Sequence, residues 1–117
     1  NSDRPIFIQI VERIEMDIIS GKYKPGDKLP SVRDFAAEAA VNPNTMQKAF
    51  TELERTGLVF SQRTTGRFIT EDTSMIDELK STLAKDKITE LLSFMQQLGF
   101  QENEILAMIG QTMKGEK

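Results

Sequence analysis

The chain has no cysteine, no histidine and no tryptophan among its 117 residues. Without Cys there is no disulfide and no thiolate metal ligand, which fits a reducing compartment. Without His the commonest general base and the commonest metal ligand are both missing. Most hydrolase and metalloenzyme designs are therefore excluded, and no catalytic residue, metal or cofactor is expected. No apolar run approaches the roughly 20 residues that a membrane-spanning helix needs. No secretory pattern opens the sequence, and Asn1-Ser2 reads as a trimmed start. A cytoplasmic chain with no membrane partner is the expectation. Paired acids such as Asp77 and Glu78, or Glu102 and Glu104, have no His or Cys beside them and read as solvated helix faces.

A basic surplus is also missing, since the formal net charge is −3. Its distribution matters more than its sum. Residues 1–70 carry ten Lys/Arg against nine Asp/Glu, a balance of +1, whereas residues 71–117 carry five against nine, a balance of −4. Within the first part, Val41–Thr51 holds Lys48 and no acid, and Ser61–Thr70 holds Arg63 and Arg67 and no acid. Local strips of this kind can follow phosphates even when the whole chain is acidic.

What is present is an ordered set of short elements. Ile6, Ile10, Ile14 and Ile18, with Phe7 and Val11, repeat at helical spacing after Pro5, and Gly21 is placed to end that helix. Tyr23-Lys24-Pro25-Gly26-Asp27 is a turn. Ser31 with Asp34 resembles a capping box for a small helix containing Phe35, Ala36, Ala39 and Ala40. Asn42 as N-cap and Pro43 as first residue open a third helix that runs to about Thr56, with Met46, Ala49, Phe50 and Leu53 as its core face and Gly57 as its stop. Only Ala40-Val41 separates the two helices, the spacing of a helix-turn-helix. Leu58-Val59-Phe60 and Arg67-Phe68-Ile69 then read as strands around the turn Arg63-Thr64-Thr65-Gly66. The fold class is mainly α with a small β-hairpin: a winged helix-turn-helix domain over residues 1–70, followed by a helical segment over 71–117. In that tail Met75, Leu79, Leu83, Ile88, Leu91, Met95 and Leu98 mark one long helix with a phase slip near Ala84-Lys85. Gly99 breaks it, and Ile105, Leu106, Met108, Ile109 and Met113 mark a second. Two such helices cannot cover their apolar stripes alone, so a second copy of the chain is the expected cover.

The run from Pro25-Gly26-Asp27-Lys28-Leu29-Pro30-Ser31-Val32-Arg33 through Val41-Asn42-Pro43-Asn44-Thr45-Met46-Gln47-Lys48-Ala49-Phe50 to Leu53-Glu54-Arg55-Thr56-Gly57-Leu58-Val59 closely resembles the GntR family of bacterial transcription regulators. The short two-helix tail resembles that of its YtrA-type subgroup. The resemblance implies a homodimeric repressor whose tail is the dimerisation module. It places DNA contacts at Arg33, Asn42, Asn44, Thr45, Gln47 and Lys48, with Gly66 at the wing tip. The family wing commonly carries two glycines around a basic residue; here Thr64 stands where the first would be.

Chemistry assigns roles to these positions, each with a blander alternative. Arg33 can fork onto a phosphate or a guanine edge, or pair with Asp34 or Glu38. Asn42 caps the helix and can also touch phosphate. Asn44, Thr45 and Gln47 lie where amides bind adenine and a hydroxyl reaches phosphate or a thymine methyl, against the alternative of an ordinary polar helix face. Lys48, Arg63 and Arg67, with Thr65 beside them in the wing, are expected at phosphates. Lys24 and Lys28 read as solvated charge. Leu91, Met95, Leu98, Ile105 and Ile109 form the expected partner-facing stripe, with packing onto the chain's own winged domain as the alternative. The tail is expected to be too small for a preformed effector pocket of about 300 Å³, and these residues identify no effector. The expected function is sequence-specific binding of double-stranded DNA at a pseudo-palindromic operator. The alternative is a winged-helix protein-docking module that binds DNA only non-specifically.

Overall fold

The structure is a computed structural model that describes residues 4–115. Its elements run α1 (Ile6–Ile19), α2 (Val32–Ala39), α3 (Pro43–Arg55), β1 (Val59–Gln62), β2 (Gly66–Ile69), α4 (Thr73–Gln97) and α5 (Glu102–Met113). Two compact units meet at Glu78 and Leu79, within α4 and later than the break at 70/71 read from the sequence. The start of α4 belongs to the first unit because its side chains are used there. A Cβ on Gly57 would meet Met75 Cε at 3.2 Å, and one on Gly26 would meet the side chain of Glu71, two residues before α4, at 3.4 Å.

In the first unit the local signals act where the sequence puts them. The Ser31 hydroxyl accepts the Asp34 N–H at 3.1 Å, and Asn42 Oδ1 accepts the Asn44 N–H at 2.7 Å, so each helix starts with one free backbone donor satisfied. Gly57, at φ 86°, follows the end of α3. The core gathers Ile14, Met46, Phe50 and Leu53, all fully buried, with Phe35 edge-on to Phe50 at 5.8 Å. Burying such side chains contributes about 1.5–3 kcal/mol each. Ile6 departs from the expected stripe, being 58% exposed. The buried face of α1 runs Val11, Ile14, Glu15 and Ile18, and so adds a carboxylate to the expected apolar residues.

The hairpin pairs antiparallel from Val59 opposite Ile69 to Gln62 opposite Gly66. A third segment joins it. The Leu29 N–H donates to Arg67 O and the Ile69 N–H to Asp27 O, both at 2.8 Å, so residues 27–29 lie along β2 as a short extra edge. The turn that delivers the chain to Pro30 therefore also anchors the wing.

In the second unit α4 is continuous across Ala84-Lys85 and ends at Gln97, with Gly99, at φ 95°, in the turn that follows. Glu104 accepts the Gln101 N–H at 2.8 Å and thereby caps α5, a use that a merely solvated face does not include. Met95 and Ile105, expected on the partner-facing stripe, are 7% and 3% exposed and so already buried within one chain. Helical periodicity marks an apolar face without saying whether a sister helix or a partner covers it. Leu91 and Leu98 stay exposed, and Ile109 is half-buried. An open apolar groove of about 330 Å³ between Leu91 and Met95 on α4 and Met108, Ile109, Thr112 and Met113 on α5 overturns the expectation that the tail holds no such space.

Candidate nucleic-acid interface

The turn between α2 and α3 is tight because Ala40 takes the left-handed conformation, at φ 57° and ψ 43°. The Val41 N–H then reaches back to Ala36 O at 3.0 Å, closing α2 and turning the chain directly into Asn42. With Met46, Ala49, Phe50 and Leu53 turned inward, the opposite face of α3 carries Asn44, Gln47, Lys48 and Thr51, spaced three, four and seven apart and all exposed. Thr45 is half-buried at the edge of that face. Asn42 is exposed and combines its capping bond with an amide nitrogen left for another partner. The Gln47 amide rests loosely on Thr51 Oγ1 at 3.4 Å, whereas that hydroxyl donates to the Gln47 carbonyl at 2.9 Å.

The cations divide into free and engaged. Among the described residues Arg33 pairs with neither Asp34 nor Glu38, and Arg63 has no ion pair. Both are exposed. Lys48 leans toward α1, its Nζ 5.7 Å from the Phe7 ring centre, and stays exposed. Arg67, expected at a phosphate, is engaged within the chain: its Nε donates to Glu54 Oε1 at 2.6 Å, and its side chain is 26% exposed. The first turn of α3 contains no acid, so the positive end of its dipole faces outward unneutralised.

At the wing tip Thr64 has φ 65° and Gly66 φ 117°. A Cβ on Gly66 would come within 2.9 Å of Lys28 Cε, a contact the flexible lysine could relieve, so it is the backbone at φ 117° that favours glycine here. Thr65 Oγ1 donates weakly to Gln62 Oε1 at 3.3 Å and holds the turn. Sequence reasoning missed two residues here. Lys28, read as solvated charge, lies along the tip because residues 27–29 pair with β2; its alternation with buried Leu29 was the available signal. Glu54, seven residues from one partner and thirteen from the other, gave no local signal.

A short helix pair with a tight turn, a second helix exposing uncharged hydrogen-bonding side chains, and a glycine-tipped hairpin beside it define a winged helix-turn-helix, the DNA-binding unit of transcription regulators. The chain belongs to the gntR family of bacterial regulatory proteins, whose pattern it matches over residues 8–69. It is 40% identical over 105 residues to the HTH-type transcriptional regulator YhcF of Bacillus subtilis, covering 90% of this chain and 87% of that one. It is 40% identical over 97 residues to the HTH-type transcriptional repressor YtrA of the same organism, covering 83% and 70%. Among solved structures, a GntR family transcriptional regulator from Listeria monocytogenes superposes with a TM-score of 0.88 at 39% identity, over 95% of this chain and 97% of that one. The DNA-binding domain of AraR, solved in complex with its operator ORX1, superposes with a TM-score of 0.55 at 30% identity, over 57% and 81%. The chain is a DNA-binding transcription regulator.

Proposed function

We propose that the protein is a cytoplasmic homodimeric repressor that places two winged domains on a pseudo-palindromic operator and occludes a promoter, with no catalytic role. The observation that carries this reading is the exposed face of α3: amides and hydroxyls at its N-terminal end, no acid in its first turn, and the unpaired cations Arg33 and Arg63 on neighbouring elements. Asn44, Thr45 and Gln47 read base edges in the major groove, while Asn42, Arg33, Lys48 and Arg63 hold phosphates. Lys28 joins Thr65 and Gly66 at the flank. Similarity to the repressor YtrA and to a domain solved on its operator supports this assignment.

The second copy is proposed to cover the tail. Ile88, Leu91, Phe94, Leu98 and Leu106 are 44–64% exposed in one chain, apolar side chains that a partner would take out of water. The α4–α5 groove is assigned to that partner rather than to a small-molecule effector.

Fluorescence anisotropy with the duplex upstream of the protein's own operon and a shuffled duplex, at near-physiological salt, tests the reading. The expected preference is at least about 10³-fold. Equal binding of the two duplexes that is unchanged by Asn44→Ala would instead favour a protein-docking module.

A further inference from the structure

Glu54 lies in the last turn of α3, and both donors to its carboxylate come from the hairpin. Arg67 Nε donates to Oε1 at 2.6 Å, and Ser61 Oγ donates to Oε2 at 3.0 Å. Ser61 and Arg67 are directly opposed across the two strands, so one carboxylate grips both strands at the same rung. The Arg67 guanidinium carbon also stands 5.2 Å from the ring centre of Phe50, a fully buried residue one turn earlier on α3. Arg67 is 26% exposed against 70% for Arg55 in the neighbouring Arg55–Glu52 pair, while the two acids are alike, Glu54 at 32% and Glu52 at 29%. A partly buried, charge-assisted pair with a second donor is held more firmly than a surface ion pair.

We propose that Glu54 and Arg67 are a positioning pair that locks the wing at a fixed angle to α3 and so sets where Arg63–Gly66 meets the DNA. Arg67 acts on DNA through Glu54, not by a phosphate contact of its own. The proposal rests on the reading of α3 as the helix that enters the groove.

Glu54→Gln, Arg67→Gln and the double variant are compared with the wild type by operator binding across a salt series, and by amide hydrogen exchange of the free protein. The expected result is a loss of operator affinity on the order of tenfold in each single variant, with no further loss in the double variant because the two side chains act as one unit. The salt slope stays unchanged, and exchange at residues 62–66 quickens in all three. A salt slope reduced by about 1 in Arg67→Gln, together with tighter binding in Glu54→Gln, would mean that Arg67 is a phosphate contact restrained by the acid, and overturns the proposal. Additive losses overturn it as well. If the wild type shows no operator preference, the reading of α3 falls; exchange in the free protein still decides the clamp, which fails if residues 62–66 are unchanged.

Discussion

At the scale of single residues, neighbours on α3 separate structural from reading roles. Asn42 spends its Oδ1 on the Asn44 N–H, so Asn42→Ala is expected to cost about 1 kcal/mol of stability, seen as a lower melting midpoint. The Asn44 side chain has no such duty. Asn44→Ala should leave the melt unchanged while costing about 1–3 kcal/mol of operator binding and relaxing the base preference at one position per half-site. Equal loss on every base substitution would assign Asn44 to the backbone. Glu15 poses a different test. Burial first, and then the charges of Glu12 and Glu52, push its pKa above the ordinary 4.5. A carboxyl with a raised folded-state pKa costs nothing below its unfolded value. The cost builds as pH rises from the unfolded value to the folded value and persists in full above it. Glu15→Gln should therefore raise the melting midpoint by a few degrees at pH 7 and lose that gain as the pH falls toward 4. A shift equal at both pH values would exclude ionisation as its cause.

At the scale of elements, what could be read from the sequence was what short-range chemistry decides. Ser31, Asn42-Pro43 and Gly57 mark helix ends because a cap acts within a few residues, and α2 and α3 begin where those signals stand. The pairing of residues 27–29 with β2, and the grip of Glu54 on Ser61 and Arg67, depend on partners brought together only by the finished fold. The engagement of Arg67 by Glu54 could not be read for that reason: an acid-free strip of sequence says nothing of an acid delivered from another element. The left-handed Ala40 was hidden because alanine gives no sign of it; the three-residue link between the helices demands the bend, and the sequence supplies no glycine for it. The strain is testable. Ala40→Gly keeps the backbone path, and removing the Cβ clash should gain about 1 kcal/mol, or about 4–8 °C in a domain of this size by calorimetry. A lower midpoint would mean that the entropy glycine adds to the unfolded chain outweighs the strain relieved.

At the scale of the whole molecule, a nearly neutral first part and an acidic tail offer little non-specific attraction to DNA, so the dimer proposed above would draw its affinity from two heads engaging at once. Linking two half-site contacts raises apparent affinity by about 10²–10⁴-fold without any new contact, provided that the spacing allows both to bind. The link proposed here is apolar. Leu91 and Leu98 are 44% and 58% exposed and lie seven residues apart on α4, two turns along one face. A charge at each position would have to be desolvated in the seam but stays in water in a monomer, so the substitution acts on association and spares the fold of the single chain. The double variant Leu91→Glu with Leu98→Glu is expected to sediment as a monomer, keep the helical content of the wild type and bind a half-site duplex as the wild-type head does. On the full operator it should lose at least about 10² in affinity. A variant that remains dimeric would move the seam off this face. A monomer with undiminished affinity for the full operator would show that the two heads contribute no avidity, and that each copy reads its half-site alone.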